Sequence, residues 1–230
     1  MPATGLVTGT YKVYAVDAAG NLSGASVDNV TIVSGLVDID GNVYSTVVIG
    51  TQTWMAENLK VTKYRNGDNI THITTNSDWP NDTDGAYGDY NNNPTNSDTY
   101  GRLYNWYAVD NSSGICPEGW HVPTSEEYNA LKTHLGTNAG QKMKEAGTEH
   151  WDSTTTGTSN SSGFTGLPAG YRDYLNGTYW NLGYYTFFWT SDSHNFSNAK
   201  YRILYYNSST LFSLSNNRKQ YGFSVRCLED

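Results

Sequence analysis

The chain has 230 residues, a net charge of −8, a pI near 5.0 and only 16% charged residues. Its 14 Lys and Arg form no basic run, which argues against a nucleic-acid partner. No apolar stretch reaches the roughly 20 residues of a membrane-spanning helix, so membrane insertion is not expected. Aromatics make up 14%, with 19 Tyr and 7 Trp, and supply the apolar area that disordered chains lack. Abundant Tyr with Asn, Ser, Thr and Gly suits a recognition surface, where Tyr gives contact area at low entropic cost and small polar residues adapt. The opening Met-Pro-Ala-Thr-Gly has neither a basic n-region nor an apolar h-region. An exported form would take its signal from outside this chain or leave by another route.

Residues 10–35 read as a β-hairpin. Tyr11, Val13 and Ala15 alternate with Lys12 and Tyr14, residues 17–20 supply a turn, and Val30 and Ile32 alternate with Asn29 and Thr31. The pattern Gly9-x-Tyr-x-Val-x-Ala-x-Asp-x-x-Gly-Asn-x-Ser23 resembles the last two strands of a bacterial immunoglobulin-like or fibronectin-type-III-like domain. An isolated hairpin is marginal in water, so residues 1–35 are expected to belong to a longer modular protein or to pack on a neighbour. A second domain is expected over 36–230. It begins with a hairpin signalled by Asp40-Gly41 and a strand from Val47 to Trp54. Residues 63–99 are polar throughout and read as a long loop. Residues 100–109 are apolar again and read as a buried helix or strand. Thr124-Ser-Glu-Glu127 is a capping box, Tyr128, Leu131 and Leu135 follow at helical spacing, and Gly136 ends the helix. A short second helix is expected between Ala139 and Glu145. From residue 160 the pattern is strand and turn alone.

Few residues mark catalysis. The five His, at 72, 121, 134, 150 and 194, lack metal-ligand spacing. No Gly-x-Ser-x-Gly elbow or phosphate loop occurs. His121, beside the helix cap, reads as structural. The expectation is therefore a protein that is not an enzyme and requires no cofactor. Calcium is the one metal for which a loop offers hard oxygen ligands, at Asp78, Asp82, Asp84 and Asp89, although the twelve-residue pattern and terminal Glu of an EF-hand are missing. Cys116 and Cys227 are the two cysteines. A disulfide between them would close a loop of about 110 residues and contribute roughly 4–5 kcal/mol; the alternative is two unpaired buried thiols.

The stretch 171–221 is the densest in aromatics, with 15 in 51 residues. Tyr201, Ile203 and Tyr205 share one face of a strand, while Arg202, Leu204 and Tyr206 share the other. Bulk on both faces means either a strand covered on two sides or an exposed aromatic recognition surface.

Six ordered motifs carry a family resemblance: Trp54-Met-Ala-Glu-Asn-Leu-Lys, Tyr100-Gly-Arg-Leu-Tyr-Asn-Trp-Tyr-Ala-Val, Cys116-Pro-Glu-Gly-Trp-His-Val-Pro-Thr, Gly163-Phe-Thr-Gly-Leu-Pro-Ala-Gly-Tyr-Arg, Phe188-Trp-Thr-Ser and Gly222-Phe-Ser-Val-Arg-Cys. Residues 36–230 thereby resemble the Fibrobacter succinogenes major paralogous domain, found in Bacteroidetes surface proteins and their phages. The resemblance implies a C-type-lectin-like α+β fold with a twisted antiparallel sheet, two helices and long loops. It also implies a last strand that returns to the middle of the domain and brings Cys227 to Cys116. In relatives diversified by retroelements, exposed positions near the C-terminus form the ligand surface. The matching positions here are Tyr174, Leu175, Trp180, Tyr185, Phe187, His194 and Phe196, followed by Tyr201, Ile203, Tyr205, Phe212, Leu214, Asn216 and Tyr221. The Glu-Pro-Asn, Gln-Pro-Asp and Trp-Asn-Asp motifs of calcium-dependent sugar-binding lectins are absent. The cysteine-dependent oxidase activity of the related formylglycine-generating enzymes is not carried over.

These readings converge on an extracellular recognition module, an adhesin or receptor-binding protein on a bacterial cell surface or phage virion, whose partner is a cell-surface protein or glycan. The rival expectation is a structural module of a surface fibre, pilus or phage tail, with the hairpin of residues 10–35 making contacts in a homo-oligomer.

Overall fold

The computed structural model describes residues 9–12, 24, 29–32, 35–155 and 157–230, with the backbone alone at 9–12, 29–32, 215 and 216. The chain divides into two compact units, Met1–Leu36 and Val37–Asp230. In the first, β1 (Gly9–Lys12) and β2 (Asn29–Ile32) pair antiparallel with Tyr11 opposite Val30. The expected turn at 17–20 lies outside the described residues.

The ribbon of β3 (Leu36–Val37) and β4 (Val43–Tyr44) turns where Asp40-Gly41 predicts. Asp38 organises the turn, its carboxylate accepting from the N–H groups of Asp40 and Asn42, both at 2.9 Å, and from the Tyr44 hydroxyl at 2.6 Å. The expected single strand from Val47 to Trp54 is instead a tight hairpin of β5 (Thr46–Ile49) and β6 (Gln52–Met55). Ile49 pairs with Gln52, leaving a two-residue loop whose first member, Gly50, has φ +65°. That conformation costs glycine nothing and strains any other residue.

Residues 63–99 form more than a loop. They hold β7 (Thr71–His72), β8 (Ala86–Gly88) and α1 (Pro94–Tyr100), and two 3-10 turns at Trp79–Asn81 and Tyr90–Asn92. Polar side chains tie this segment to backbone: Asn93 caps α1 by accepting from Thr95 N–H, and Asn92 donates to the Thr74 carbonyl. Trp79, wholly buried, donates from its indole to the Gln220 carbonyl at 2.7 Å. Residues 100–109 supply both a strand, β9 (Leu103–Tyr104), and a helix, α2 (Trp106–Val109).

After β10 (Trp120–His121) comes α3 (Ser125–Leu135), with both bonds of the predicted capping box present and Gly136 as its C-cap. α4 (Ala139–Met143) follows. The remainder is strand: β11 (Ala169–Arg172), β12 (Tyr179–Leu182), β13 (Tyr185–Ser193), β14 (Asn198–Tyr205), β15 (Leu211–Arg218) and β16 (Leu228–Glu229). The fold is α+β with mostly antiparallel sheets. The described residues hold four helices where two were expected.

Two sheets dominate, in the orders β12-β11-β13-β14-β15 and β10-β16-β6-β5. The last strand thus lies between β6 and β10, with Leu228 opposite both Trp54 and His121. This return brings the cysteines together: Cys116 and Cys227 form a disulfide with Cα atoms 5.9 Å apart. The buried stripe of α3, Tyr128, Leu131 and Leu135, meets Trp54, Phe164, Phe188, Leu204 and Leu211 in one apolar cluster. Each such side chain contributes roughly 1.5–3 kcal/mol by leaving water.

Candidate ligand-binding face

Strand register decides which residues face the core. Across β13, β14 and β15 one set of rows reads Thr186, Leu204, Leu211 and Phe188, Arg202, Ser213. This set packs toward α3: Leu204 and Leu211 join its apolar cluster, and the Arg202 Nη2 donates to the Ser125 carbonyl at 2.6 Å. Side chains alternate across a strand, so the other set turns away from the helix. It reads Phe187, Ile203, Phe212 and Trp189, Tyr201, Leu214, with Tyr185 opposite Tyr205 at the edge.

The segment 221–224 runs beside β13, with Ser224 bridging Phe188. It lays Phe223 against Phe187, 4.7 Å between centroids, and against Trp189 at 4.3 Å. Tyr221 continues the row 5.2 Å from Phe223 and 4.8 Å from Tyr174. Tyr171 on β11 reaches Phe187 at 5.1 Å. Gly170 precedes it with φ +65°, where a Cβ would meet the Trp180 carbonyl. The result is a continuous aromatic floor.

The predicted ligand positions divide into three groups on this floor. Phe187, Tyr201 and Ile203 are buried, Ile203 to 1%, and belong to the floor itself. Their assignment as exposed contacts is corrected, because Phe223 and the flanking rings cover them. Tyr174, Tyr185, Tyr205, Phe212 and Tyr221 are half-buried, and Leu214 is 39% exposed. Leu175, Trp180, His194 and Phe196 are exposed, and Phe196 at the β13–β14 turn reaches 95%. The Asn216 side chain lies outside the described residues.

Two hollows open on the face. One, of about 180 Å³, is lined by Tyr171, Asn181, Tyr185, Phe187, Tyr205, Asn217, Tyr221 and Phe223. The second, a shallower depression of about 470 Å³, is lined by Tyr174, Asn195, Ser197, Asn198, Asn217, Arg218 and Tyr221. Asn217 and Tyr221 border both. Asn217 and Arg218, the last two residues of β15, escaped the sequence reading. Burial pushes the Tyr221 hydroxyl up to about 12, with Asp173 adding to it, and burial likewise holds Tyr201 near 12. These two phenols are therefore neutral hydrogen-bonding groups at physiological pH.

Buried cations hold the turns around the face by backbone carbonyls. Arg172 donates to the carbonyls of Ile73 at 2.5 Å and Gly177 at 2.9 Å while stacking over Trp79 at 4.2 Å. Lys144 donates from Nζ to the carbonyls of Tyr205, Tyr206 and Ser208 at 3.1, 3.2 and 2.9 Å, fixing the β14–β15 turn. Burial pulls its pKa down to about 8. The unfolded value is about 10.4, so between these values the unfolded chain binds more protons and stability rises with pH. Lys144→Met is expected to cost about 2 kcal/mol at pH 7, because buried acceptors lose their donor. The gap between the two proteins should then widen from pH 8 to 10 in urea denaturation. A narrowing gap would mean that the carbonyls favour the ammonium more than burial disfavours it.

The aspartates do not assemble. Asp82 accepts from Gly85 N–H at 3.0 Å and the Asn105 amide at 2.7 Å. Asp89, buried, pairs with His72 at 3.1 Å and Arg102 at 3.3 Å and accepts from Ser97. Asp84 is exposed, and Asp78 takes only a hydrogen bond from its neighbour Ser77. The expected calcium loop is therefore corrected: its carboxylates serve separate partners. Among the described residues the acid and histidine ligands that do converge are Glu145, Glu149 and His150, and His150 already bonds Glu145 at 2.9 Å. His121, beside the helix cap, bonds Asp230 at 2.7 Å and Glu127 at 3.0 Å.

No helix among the described residues is long and apolar enough to cross a membrane. Comparison with curated proteins finds no match, and comparison with solved structures finds none. The model of the Fibrobacter succinogenes major domain matches residues 47–229, a span that holds the capped helix, the disulfide and the aromatic face. The chain belongs to the Fibrobacter succinogenes major domain family.

Proposed function

We propose that the chain is a non-enzymatic recognition module that binds a cell-surface protein or glycan through the aromatic face of β13–β15. The observation that carries this reading is the register. It turns Tyr185, Tyr205, Phe212 and Leu214 away from α3; Tyr185 and Tyr205 border the smaller hollow, and Leu214 is exposed. Neutral phenols beside Asn and Ser side chains suit a ligand with stacking surfaces and hydroxyl or amide groups. An extracellular setting fits the disulfide, which persists in oxidising compartments. A C-type-lectin-like arrangement, and diversification of this face by a retroelement, belong to the same proposal. The return of β16 to the middle of its sheet supports the first.

The test is binding of the full chain to intact Bacteroidetes cells and to a glycan array. Tyr205→Ala combined with Phe212→Ala, rings 4.9 Å apart, is expected to abolish binding. The melting temperature should fall only a few degrees, since both rings are half-exposed. A collapse of stability would make them core residues and remove the reading. An assembly role draws on a different surface: Val37, Ile39 and Val43 on the β3–β4 ribbon are each more than 40% exposed. Under that reading the full chain oligomerises without ligand, which light scattering on a sizing column detects.

A further inference from the structure

We propose that the depression beside the aromatic hollow takes the carboxylate of an acidic sugar, with Arg218 as the anchoring residue. This rests on the recognition reading and names its ligand class.

In the lining, the Asn195 side chain is engaged, its Oδ1 accepting from the N–H groups of Ser197 and Asn198 at 2.9 Å. Arg218 is exposed, and its guanidinium makes no hydrogen bond or ion pair among the described residues. The side-chain amide of Asn217 and the hydroxyls of Tyr174 and Tyr221 are likewise unengaged there. Acids outnumber Lys and Arg 22 to 14 in this chain, so an unpaired arginine among neutral residues is a local exception. The neighbouring acid, Asp173, is not in the lining, and its Oδ1 accepts from the N–H groups of Leu175 at 2.8 Å and Asn176 at 3.2 Å. The planar guanidinium offers two parallel donors to a carboxylate, a match that neither an amide nor a hydroxyl provides.

The surroundings select a sugar over a peptide. A protein hot spot needs a deep apolar pocket for an anchoring side chain, whereas this depression is lined by Asn, Ser and Arg. The rings of Tyr174 and Tyr221, 4.8 Å apart, form its wall and suit the C–H face of a pyranose. Asn217 and Tyr221 join the depression to the 180 Å³ hollow, so a second residue of the same oligosaccharide can lie on Tyr185 and Tyr205.

The test measures binding of the full chain to sialyllactose, hyaluronan fragments and oligogalacturonate, each beside its carboxyl methyl ester. The native sequence is expected to bind at least one acid form at least tenfold more tightly than its ester. The preference should shrink as NaCl rises from 50 to 500 mM, since exposed charges are screened. Arg218→Gln should remove the preference, and Arg218→Lys should restore part of it. Equal binding of acid and ester, or a preference that survives Arg218→Gln, overturns the assignment. Binding to none of these sugars also overturns it. If the chain then still binds cells in a manner lost with Tyr205→Ala and Phe212→Ala, the recognition reading stands with another ligand; if it binds no cells, both fall.

Discussion

Arg226→Leu is expected to destabilise the domain by about 5 kcal/mol, comparable with the whole stability of many domains. Arg226 is 1% exposed and spans four acceptors. Its Nε donates to Asn58 Oδ1 at 2.7 Å, its Nη1 to the carbonyls of Met55 and Phe164, and its Nη2 to the Thr165 carbonyl at 2.9 Å. The guanidinium also lies 4.3 Å over the Phe164 ring. Burial draws its pKa down to about 9, which still leaves it charged at pH 7. Leucine would leave these acceptors buried without a donor, at roughly 1–3 kcal/mol each before relaxation. Arg226→Lys keeps the charge but not the fork and should fall between. Denaturation midpoints in urea measure the series; a Leu variant within 1 kcal/mol of the native sequence would refute this role.

Replacing Cys116 and Cys227 together with alanine is expected to cost about 4 kcal/mol. The bridge spans 111 positions, and restraining so long a loop in the unfolded chain is worth roughly 4–5 kcal/mol in the chain-entropy description. For a chain of this size the melting temperature should drop on the order of 10 °C. Both cysteines are buried, Cys227 wholly so. Reduction of the native protein by dithiothreitol should therefore be slow, and should accelerate in denaturant. Fast reduction without denaturant would show that the β6–β16–β10 region opens locally.

The sequence discloses what depends on near neighbours. Thr124, Glu127 and Gly136 fix the ends of α3 through bonds within one turn, and Asp40-Gly41 announces a tight bend through backbone freedom. It conceals what depends on distant arrivals. Alternation in 201–205 separates two faces, but that both are covered over 201–204 follows from α3, some seventy residues earlier, and from Phe223, twenty residues later. Residues 63–99 read as a loop because their order comes from polar bonds such as Asn92 to Thr74 and from Trp79 reaching Gln220, not from hydrophobic periodicity. The aspartates looked like one ligand set because Asn105, His72 and Arg102, which divide them, lie outside that stretch. Arg218 carried no sequence signal, since one arginine at the end of a polar strand is ordinary until its neighbours are known to be neutral.

The grips of Lys144 and Arg172 have an evolutionary consequence. Their acceptors at positions 73, 205, 206 and 208 are peptide oxygens, which every amino acid supplies alike. At 205, 206 and 208, where the side chains are partly exposed, mutation changes what is presented to the outside without removing a handle by which the loop is held. Shape and content of the surface are inherited separately. A lineage under pressure to meet new partners can therefore explore many surfaces at little risk of losing the protein that carries them.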